Sequence, residues 1–226
     1  MPVKIIYHGH SCLEIHSGEH QIQLDPFYDS NPLADVKSDK PNPQYIFLSH
    51  AHFDHMDDAE RIARRCGAAV LANYEIAEYF GKKNLKVMHM NTGGEISLPF
   101  GRAALVFAVH TSTFPDGTPG GIAGGWMIQI GGRTIYFAGD TALFGDMALF
   151  GRLWKIDLAC LPIGDNFTMG PQHALLAAEM LKTRHVLPIH YNTWPPIQQD
   201  ATAFGKMLKQ KDINPVILNA GQNFDL

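Results

Sequence analysis

The sequence predicts a mixed α and β fold with two β-rich portions, and three observations support this. Short apolar segments rich in β-branched and aromatic residues recur between turns along the whole chain. From about residue 145 onward, strand patterns alternate with helical patterns, as in layered α/β proteins. No composition break, internal repeat or low-complexity tract marks a linker in the 226 residues. We therefore expect one domain over residues 1–226.

The first portion is predicted to contain six strands and two helices. The expected strands cover residues 3–7, 12–16, 21–24, 45–48, 69–72 and 86–90. Residues 25–43, rich in Pro, Asp, Asn and Ser, are predicted to form a long loop. A helix is expected over 57–66, with apolar residues at helical spacing and Gly67 at its end, and a second over 74–80.

The second portion begins with four predicted strands, 95–98, 102–109, 126–130 and 133–138. Gly131-Gly132 between the last two is a strong signal for a tight hairpin. Residues 111–125 hold five glycines and two prolines and are predicted to form an active-site loop. Helices at 145–153, 171–182 and 200–210 then alternate with strands at 157–161, 184–189 and 215–218.

Composition limits the classes of function. A hydrophobic content of 46% and a charged content of 18% are typical of a soluble globular protein. We find no signal peptide and no apolar run long enough to span a bilayer, and therefore expect no membrane partner. The odd count of three cysteines, without metal-type spacing, fits the reducing cytoplasm. The net charge of −4 and the scattered basic residues argue against a nucleic-acid partner, while a homo-oligomer stays open.

The segment His50-Ala51-His52-Phe53-Asp54-His55 follows a predicted strand and holds four potential metal ligands in six residues. Imidazole and carboxylate are the ligands that borderline divalent metals accept. In an extended or turning backbone, alternate residues point the same way. His50 and His52 can therefore reach one point, while Asp54 and His55 reach a second. The alternative is a solvated polar loop.

Four predicted strands each lead to a residue that can bind metal: His50, His110, Asp140 and His190. In layered α/β proteins, ligands bind just beyond the carboxyl ends of strands, where loops converge on a rigid scaffold. Each residue alone is better explained as an ordinary loop residue. Their coincidence with the cluster at 50–55 favours a shared metal site.

With these seven positions in order, the chain resembles the metallo-β-lactamase superfamily. That resemblance implies an αββα sandwich, two mixed β-sheets flanked by helices, with a dinuclear metal site at one edge. It implies that His50, His52 and His110 hold the first metal. Asp54, His55 and His190 would hold the second metal, and Asp140 would bridge the two.

A narrower resemblance is to metal-dependent hydrolases related to the ascorbate-6-phosphate lactonases, a group without a settled substrate. The matching strings are Tyr7-His8-Gly9-His10-Ser11-Cys12, Leu24-Asp25-Pro26-Phe27, residues 162–171 and Pro188-Ile189-His190-Tyr191-Asn192-Thr193. The resemblance defines a fold and a reaction class better than it defines a substrate.

The expected chemistry is hydrolysis of an ester, lactone or phosphoester bond. Two divalent ions can activate water and polarise the bond under attack. Zinc is expected, with manganese, iron and nickel left open. Two such ions, two carboxylates and one hydroxide leave a charge of about +1, which suits a small anionic substrate. The alternatives are a phosphodiesterase or nuclease with the same centre, and a metal-binding module without turnover.

Residues outside the ligand set complete the prediction. Asp54 is expected to act both as ligand and as proton acceptor. His10 is expected to donate a proton or bind a substrate oxygen, with a supporting hydrogen bond as the alternative. Asp25 would orient a ligand histidine or merely begin a turn. Asn166 and Asn192 are expected to bind substrate. The segment Trp194-Pro195-Pro196 would form a wall of the site or an oligomer contact.

Overall fold

Fourteen β-strands and six α-helices make up the fold in the computed structural model, which describes residues 1–226. The strands are β1 (Lys4–Tyr7), β2 (Leu13–Ser17), β3 (His20–Leu24), β4 (Tyr45–Phe47), β5 (Ala69–Asn73), β6 (Val87–Met90), β7 (Glu95–Leu98), β8 (Gly101–Phe107), β9 (Gly124–Ile130), β10 (Arg133–Phe137), β11 (Leu158–Pro162), β12 (His185–Ile189), β13 (Asn214–Pro215) and β14 (Asn223–Asp225). The helices are α1 (Phe53–Met56), α2 (Ala59–Cys66), α3 (Tyr74–Gly81), α4 (Met147–Leu153), α5 (Pro171–Leu181) and α6 (Ala201–Lys209).

The strands form two seven-stranded mixed sheets with the same internal plan. The first sheet has the order β14-β1-β2-β3-β4-β5-β6, and the second has the order β13-β12-β11-β10-β9-β8-β7. In each sheet, antiparallel strands come early in the chain and are followed by parallel strands, most of them joined by helices. Strand β14, at the end of the chain, adds an antiparallel edge strand to the first sheet. A ligand site is expected at the carboxyl ends of the parallel strands, in the loops that follow them.

The inner faces of the two sheets bury one continuous apolar core. Phe47 of β4, Leu105 of β8 and Phe137 of β10 belong to it and are fully buried. Trp126 of β9 packs edge-on against Phe47 at a centroid distance of 4.8 Å. Its indole N–H donates to the carbonyl oxygen of Leu48 at 3.0 Å, across the two sheets. This bond fixes the chain two residues before the predicted metal cluster.

Helices cover the outer face of each sheet. Helices α2 and α3 pack on the first sheet through a second core that includes Ile62 and Phe80. Helices α4, α5 and α6 pack on the second sheet through a third core that includes Phe150 and Phe204. The mixed fold and the αββα arrangement are therefore confirmed. No helix is long and apolar enough to cross a bilayer.

Most predicted elements are present with shifted ends, and three predictions were wrong in detail. The helix expected at 57–66 begins only at Ala59, and residues 53–56 form the separate short helix α1. The strand expected at 102–109 ends at Phe107, and the strand expected at 215–218 is confined to Asn214–Pro215. Strand β14 was missed altogether. It pairs with β1 at the opposite end of the chain, and no local sequence pattern predicts this contact.

Candidate metal centre

The seven predicted ligands come from loops of both sheets. His50, His52, Asp54 and His55 follow β4 of the first sheet, and Asp54 and His55 lie on α1. The other three, His110, Asp140 and His190, follow β8, β10 and β12 of the second sheet. The structure thus brings together side chains separated by up to 140 residues in the sequence.

Asp140 lies at the middle of this cluster and is almost fully buried. Its Oδ2 lies 3.0 Å from Nε2 of His190, 3.5 Å from Nε2 of His110 and 4.0 Å from Nε2 of His50. Its Oδ1 lies 3.4 Å from Nε2 of His55. One carboxylate therefore faces imidazoles from both halves of the cluster, which is the position required of a bridging ligand.

The ligand atoms fall into two main groups, each within 4.8 Å of one another. One group is His50, His52 and His110, and the other is His10, Asp54, His55 and His190. Two neighbouring groups of this composition match the two halves that the resemblance implies. The second group also contains His10, which the resemblance did not place among the ligands.

Asp25 and Ser49 fix the orientation of two ligand histidines. The Ser49 hydroxyl donates to Oδ2 of Asp25 at 2.5 Å and so accepts from Nδ1 of His50 at 2.9 Å. Oδ2 of Asp25 also accepts from Nδ1 of His55 at 2.6 Å. Because both Nδ1 atoms are used in these hydrogen bonds, Nε2 is the nitrogen of each ring that faces the cluster and would bind a metal.

The electrostatics of the cluster suit divalent cations. Burial lowers the pKa of His50, His52 and His110, which favours the neutral imidazole that binds metal. Burial opposes ionisation of Asp140, but the neighbouring His190 and His55 hold its pKa well below its usual range. Burial likewise lowers the pKa of His190, yet Asp140 outweighs it and raises the value to about 9. The positive charge of His190 therefore lies beside the carboxylate of Asp140.

Buried polar atoms without partners show that the residues fit a metal. Nε2 of His55 and Oδ1 of Asp140 are fully buried, face each other at 3.4 Å, and form no hydrogen bond. Leaving such groups unsatisfied costs about 1–3 kcal/mol each. A divalent cation between imidazole nitrogen and carboxylate oxygen would satisfy both atoms, and neutral histidines with carboxylates are its usual donor set.

His10 lies behind Asp54 and is completely buried. Its Nε2 is 3.0 Å from Oδ2 of Asp54, and its Nδ1 is 2.7 Å from Oγ1 of Thr193. A carboxylate can only accept, so Nε2–H donates to Asp54, and Nδ1 accepts from the Thr193 hydroxyl. Burial lowers the pKa of His10 to about 4, in agreement with a neutral ring. The structure therefore places His10 against a ligand rather than in reach of substrate.

A cleft of about 630 Å³ opens over the cluster. His52, Asp54, His110, Asp140 and His190 form part of its lining. The predicted active-site loop contributes Thr111, Thr113 and Pro115, and the remaining lining residues are Phe53, Phe167, Trp194 and Pro196. The wall role proposed for the segment 194–196 is thus supported by the position of Trp194 and Pro196.

The structure does not bring the two predicted asparagines to this cleft. Asn166 is exposed on a turn, and neither it nor Asn192 contributes to the lining. Oδ1 of Asn192 instead accepts from the backbone N–H of Gln199 at 2.7 Å. Phe53 and Phe167, which do line the cleft, were not predicted. The only signal for Phe53 was a large apolar residue inside a cluster of metal ligands.

Comparisons with known proteins agree with this fold. The family model described as a beta-lactamase superfamily domain matches residues 20–191. A metal-dependent hydrolase of Bacillus subtilis is 46% identical over 211 residues, which cover 91% of this chain and 93% of the relative. One from Thermus thermophilus is 43% identical over 220 residues, 97% of each chain. The structure of Igni18, a metallo hydrolase from Ignicoccus hospitalis, superposes with a TM-score of 0.92 at 33% identity, covering 100% of this chain and 99% of that one.

An αββα sandwich with a histidine- and aspartate-rich centre at one edge defines a class of metal-dependent hydrolases. The matched model covers most of the chain, and the relatives cover nearly all of it. The chain belongs to the metallo-β-lactamase superfamily, and its relatives in that superfamily are the UPF0173 metal-dependent hydrolases.

Proposed function

We propose that this hydrolase cleaves an ester, lactone or phosphoester bond of a small substrate at a centre of two divalent metal ions. The observation that carries the proposal is the shared position of Asp140 between two groups of candidate ligands at the base of a cleft. His50, His52 and His110 would hold one ion, and Asp54, His55 and His190 the other. Zinc is the proposed metal, with manganese, iron and nickel as alternatives.

When bound, the two ions would lower the pKa of a coordinated water and polarise the carbonyl or phosphoryl oxygen under attack. Asp54 lines the cleft and is the proposed proton acceptor. Although burial alone would raise its pKa, His55 and His10 hold it well below the usual range, so that Asp54 is ionised at neutral pH. His10 fixes one of its oxygens, and Asp25 orients His55.

The cleft also bears on the charge of the substrate. None of its twelve lining residues is Lys or Arg. Negative charge on the substrate is therefore proposed to lie at the reacting group, where the metal ions neutralise it. A polynucleotide is a poor candidate, because its phosphates beyond the metals would find no cationic partner in this lining.

The test combines metal analysis with turnover. Purified protein is analysed for bound metals, reconstituted with zinc or manganese, and assayed on ester, lactone, thioester and phosphodiester substrates. We expect two ions per chain and hydrolysis of at least one of these substrates. In Asp140→Ala, we expect loss of the bound ions and of the hydrolysis. A fully metallated protein that hydrolyses none of them would favour a metal-binding module without turnover.

A further inference from the structure

The walls of the cleft are aromatic and uncharged, whereas its base is formed by metal ligands. We propose that the substrate carries a flat, uncharged apolar group, of the size of a phenyl ring, next to the bond that is hydrolysed. This inference rests on the proposed function for the reaction, but it concerns recognition and can be tested separately.

One wall is an aromatic group held in place from behind. Phe53 and Trp194 lie with ring centroids 6.0 Å apart at an angle of 44°. Phe27 is completely buried and packs behind both rings. Its ring centroid lies 5.8 Å from that of Phe53 and 6.1 Å from that of Trp194. Phe53 is nevertheless 48% exposed. An aromatic side chain fixed in position and left half in water at the mouth of a cleft is a ready surface for an apolar ligand.

A second wall comes from Phe167, in the loop between β11 and α5. Its side chain is 57% exposed, although it lines the cleft. The two residues before it, Asp165 and Asn166, both have left-handed backbone angles, φ of +60° and +47°. The backbone N–H of Met169 donates to the carbonyl of Thr141 at 3.0 Å, which ties the turn to the loop that carries Asp140. The turn therefore presents Phe167 from a defined position.

The charges of the lining disfavour a substrate with further charged groups away from the reacting bond. The only carboxylates in the lining are Asp54 and Asp140, which are ligands, and no Lys or Arg is present. A second phosphate or carboxylate on the substrate would lose water without gaining a charged partner, which is costly. Burial of one aromatic group of 150–250 Å² is, by contrast, strongly favourable by about 25 cal/mol per Å².

The size of the cleft is consistent with this occupant. Its volume of about 630 Å³ falls within the usual range for small-molecule sites, and it leaves room for a ring beside the reacting group. The substrate class is thus an ester, lactone or phosphoester that carries an aryl or arylalkyl group next to the bond that is hydrolysed.

Binding of carboxylate products tests the inference without any turnover. Affinities of phenylacetate, acetate and succinate for the zinc-loaded protein are measured by titration calorimetry. All three offer a carboxylate to the metals, while only phenylacetate offers a ring and only succinate a second charge. We expect phenylacetate to bind at least tenfold more tightly than acetate, and succinate to bind no more tightly than acetate.

Substitution of Phe167 localises the preference. Phe167→Ala is expected to lower the ratio of phenylacetate to acetate affinity by about threefold to tenfold, the usual range for one aromatic contact. Leu153→Ala is the matched control, because Leu153 is 62% exposed on α4 and does not line the cleft. This control is expected to leave the ratio unchanged.

Three results would overturn the inference: equal binding of phenylacetate and acetate, tighter binding of succinate, or an unchanged ratio in Phe167→Ala. The same protein is assayed on methyl phenylacetate and methyl acetate. If the expected binding preference is found but neither ester nor any other substrate is hydrolysed, the proposed function fails while the recognition stands. If esters are hydrolysed without the preference, only the recognition fails.

Discussion

A buried charge cluster away from the metal centre should control the stability of the protein in acid. Glu14 on β2 is only 7% exposed. Its two carboxylate oxygens accept from Nε2 of His8 at 2.9 Å and from Nε2 of His16 at 2.6 Å. Nδ1 of His8 lies 2.7 Å from Oδ1 of Asp35, so that His8 is placed between two carboxylates. We expect replacement of Glu14 by Gln to flatten the acid limb of the stability profile.

The magnitude follows from the pKa values. Burial opposes ionisation of Glu14, but the hydrogen bonds from His16 and His8 outweigh it and lower its pKa from 4.5 to about 2. Linkage converts this difference into about 3 kcal/mol of stability. The contribution is fully present above pH 4.5 and is lost as the pH falls toward 2. By the same relation, about 2 kcal/mol of it is lost by pH 3.

His8 determines how the contribution of the same cluster to stability changes at higher pH. Burial lowers the pKa of His8, but Glu14 and Asp35 outweigh this and raise it above 6.5. The contribution of His8 to stability is therefore complete below pH 6.5. It declines as the pH rises through the pKa of His8 in the folded state. The cluster stabilises the fold most between about pH 4.5 and 6.5.

The contribution of Glu14 is measured by urea unfolding of the metal-free wild type and Glu14→Gln between pH 5.5 and 3. Unfolding is followed by tryptophan fluorescence. Other acidic groups titrate in both proteins and cancel in the difference. We expect the advantage of the wild type over the variant to shrink by about 2 kcal/mol over this range. Glu95→Gln is the control, because Glu95 pairs with Arg102 in an exposed position. Parallel profiles for wild type and Glu14→Gln would refute the reasoning.

Three further predictions concern the metal centre. Asp140→Ala should lower the content of both metals, measured by mass spectrometry of the protein-bound ions, because a bridging ligand belongs to each; unchanged stoichiometry would contradict its position between them. His10→Ala should retain the metals but lower kcat by about a hundredfold and alter its pH profile, since Asp54 loses the donor that fixes its orientation; unaltered kinetics would leave His10 a purely structural role. Asp25→Asn should weaken metal affinity by about tenfold to a hundredfold, measured by competition with a chromophoric chelator, because His55 loses its acceptor; wild-type affinity would show that Asp25 does not orient the ligand.

The sequence predicted the parts of the site that lie close to regular strands. His50, Asp140 and His190 each follow a short apolar strand, and parallel strands carry their end residues to the same edge. The strong local signals of β4, β10 and β12 were therefore enough to group these ligands. The structure also brings His110 to this group, although its strand ends before the predicted boundary, at Phe107.

The parts that escaped prediction depend on contacts between distant segments. The bond from His10 to Asp54 joins residues 44 positions apart, and the bond from His10 to Thr193 joins residues 183 positions apart. No local pattern in the sequence specifies either. Phe167 lines the cleft from a turn that is hydrogen-bonded to the loop after β10. Tertiary packing, rather than local propensity, decides which aromatic side chains line the cleft.

The origin of the ligands in both sheets has a consequence for the thermodynamics of folding. Of the two proposed cations, one would be held by His50 and His52 from the first sheet and by His110 from the second. The other would be held by Asp54 and His55 from the first sheet and by His190 from the second, so that each cation would link the two layers. Unfolding would have to release the cations, so the melting temperature should rise with the concentration of free metal. At a free concentration a thousand times the Kd, this mass-action effect is worth about 4.1 kcal/mol for each cation. Metal supply in the cell would then determine how long the protein survives as well as how fast it works.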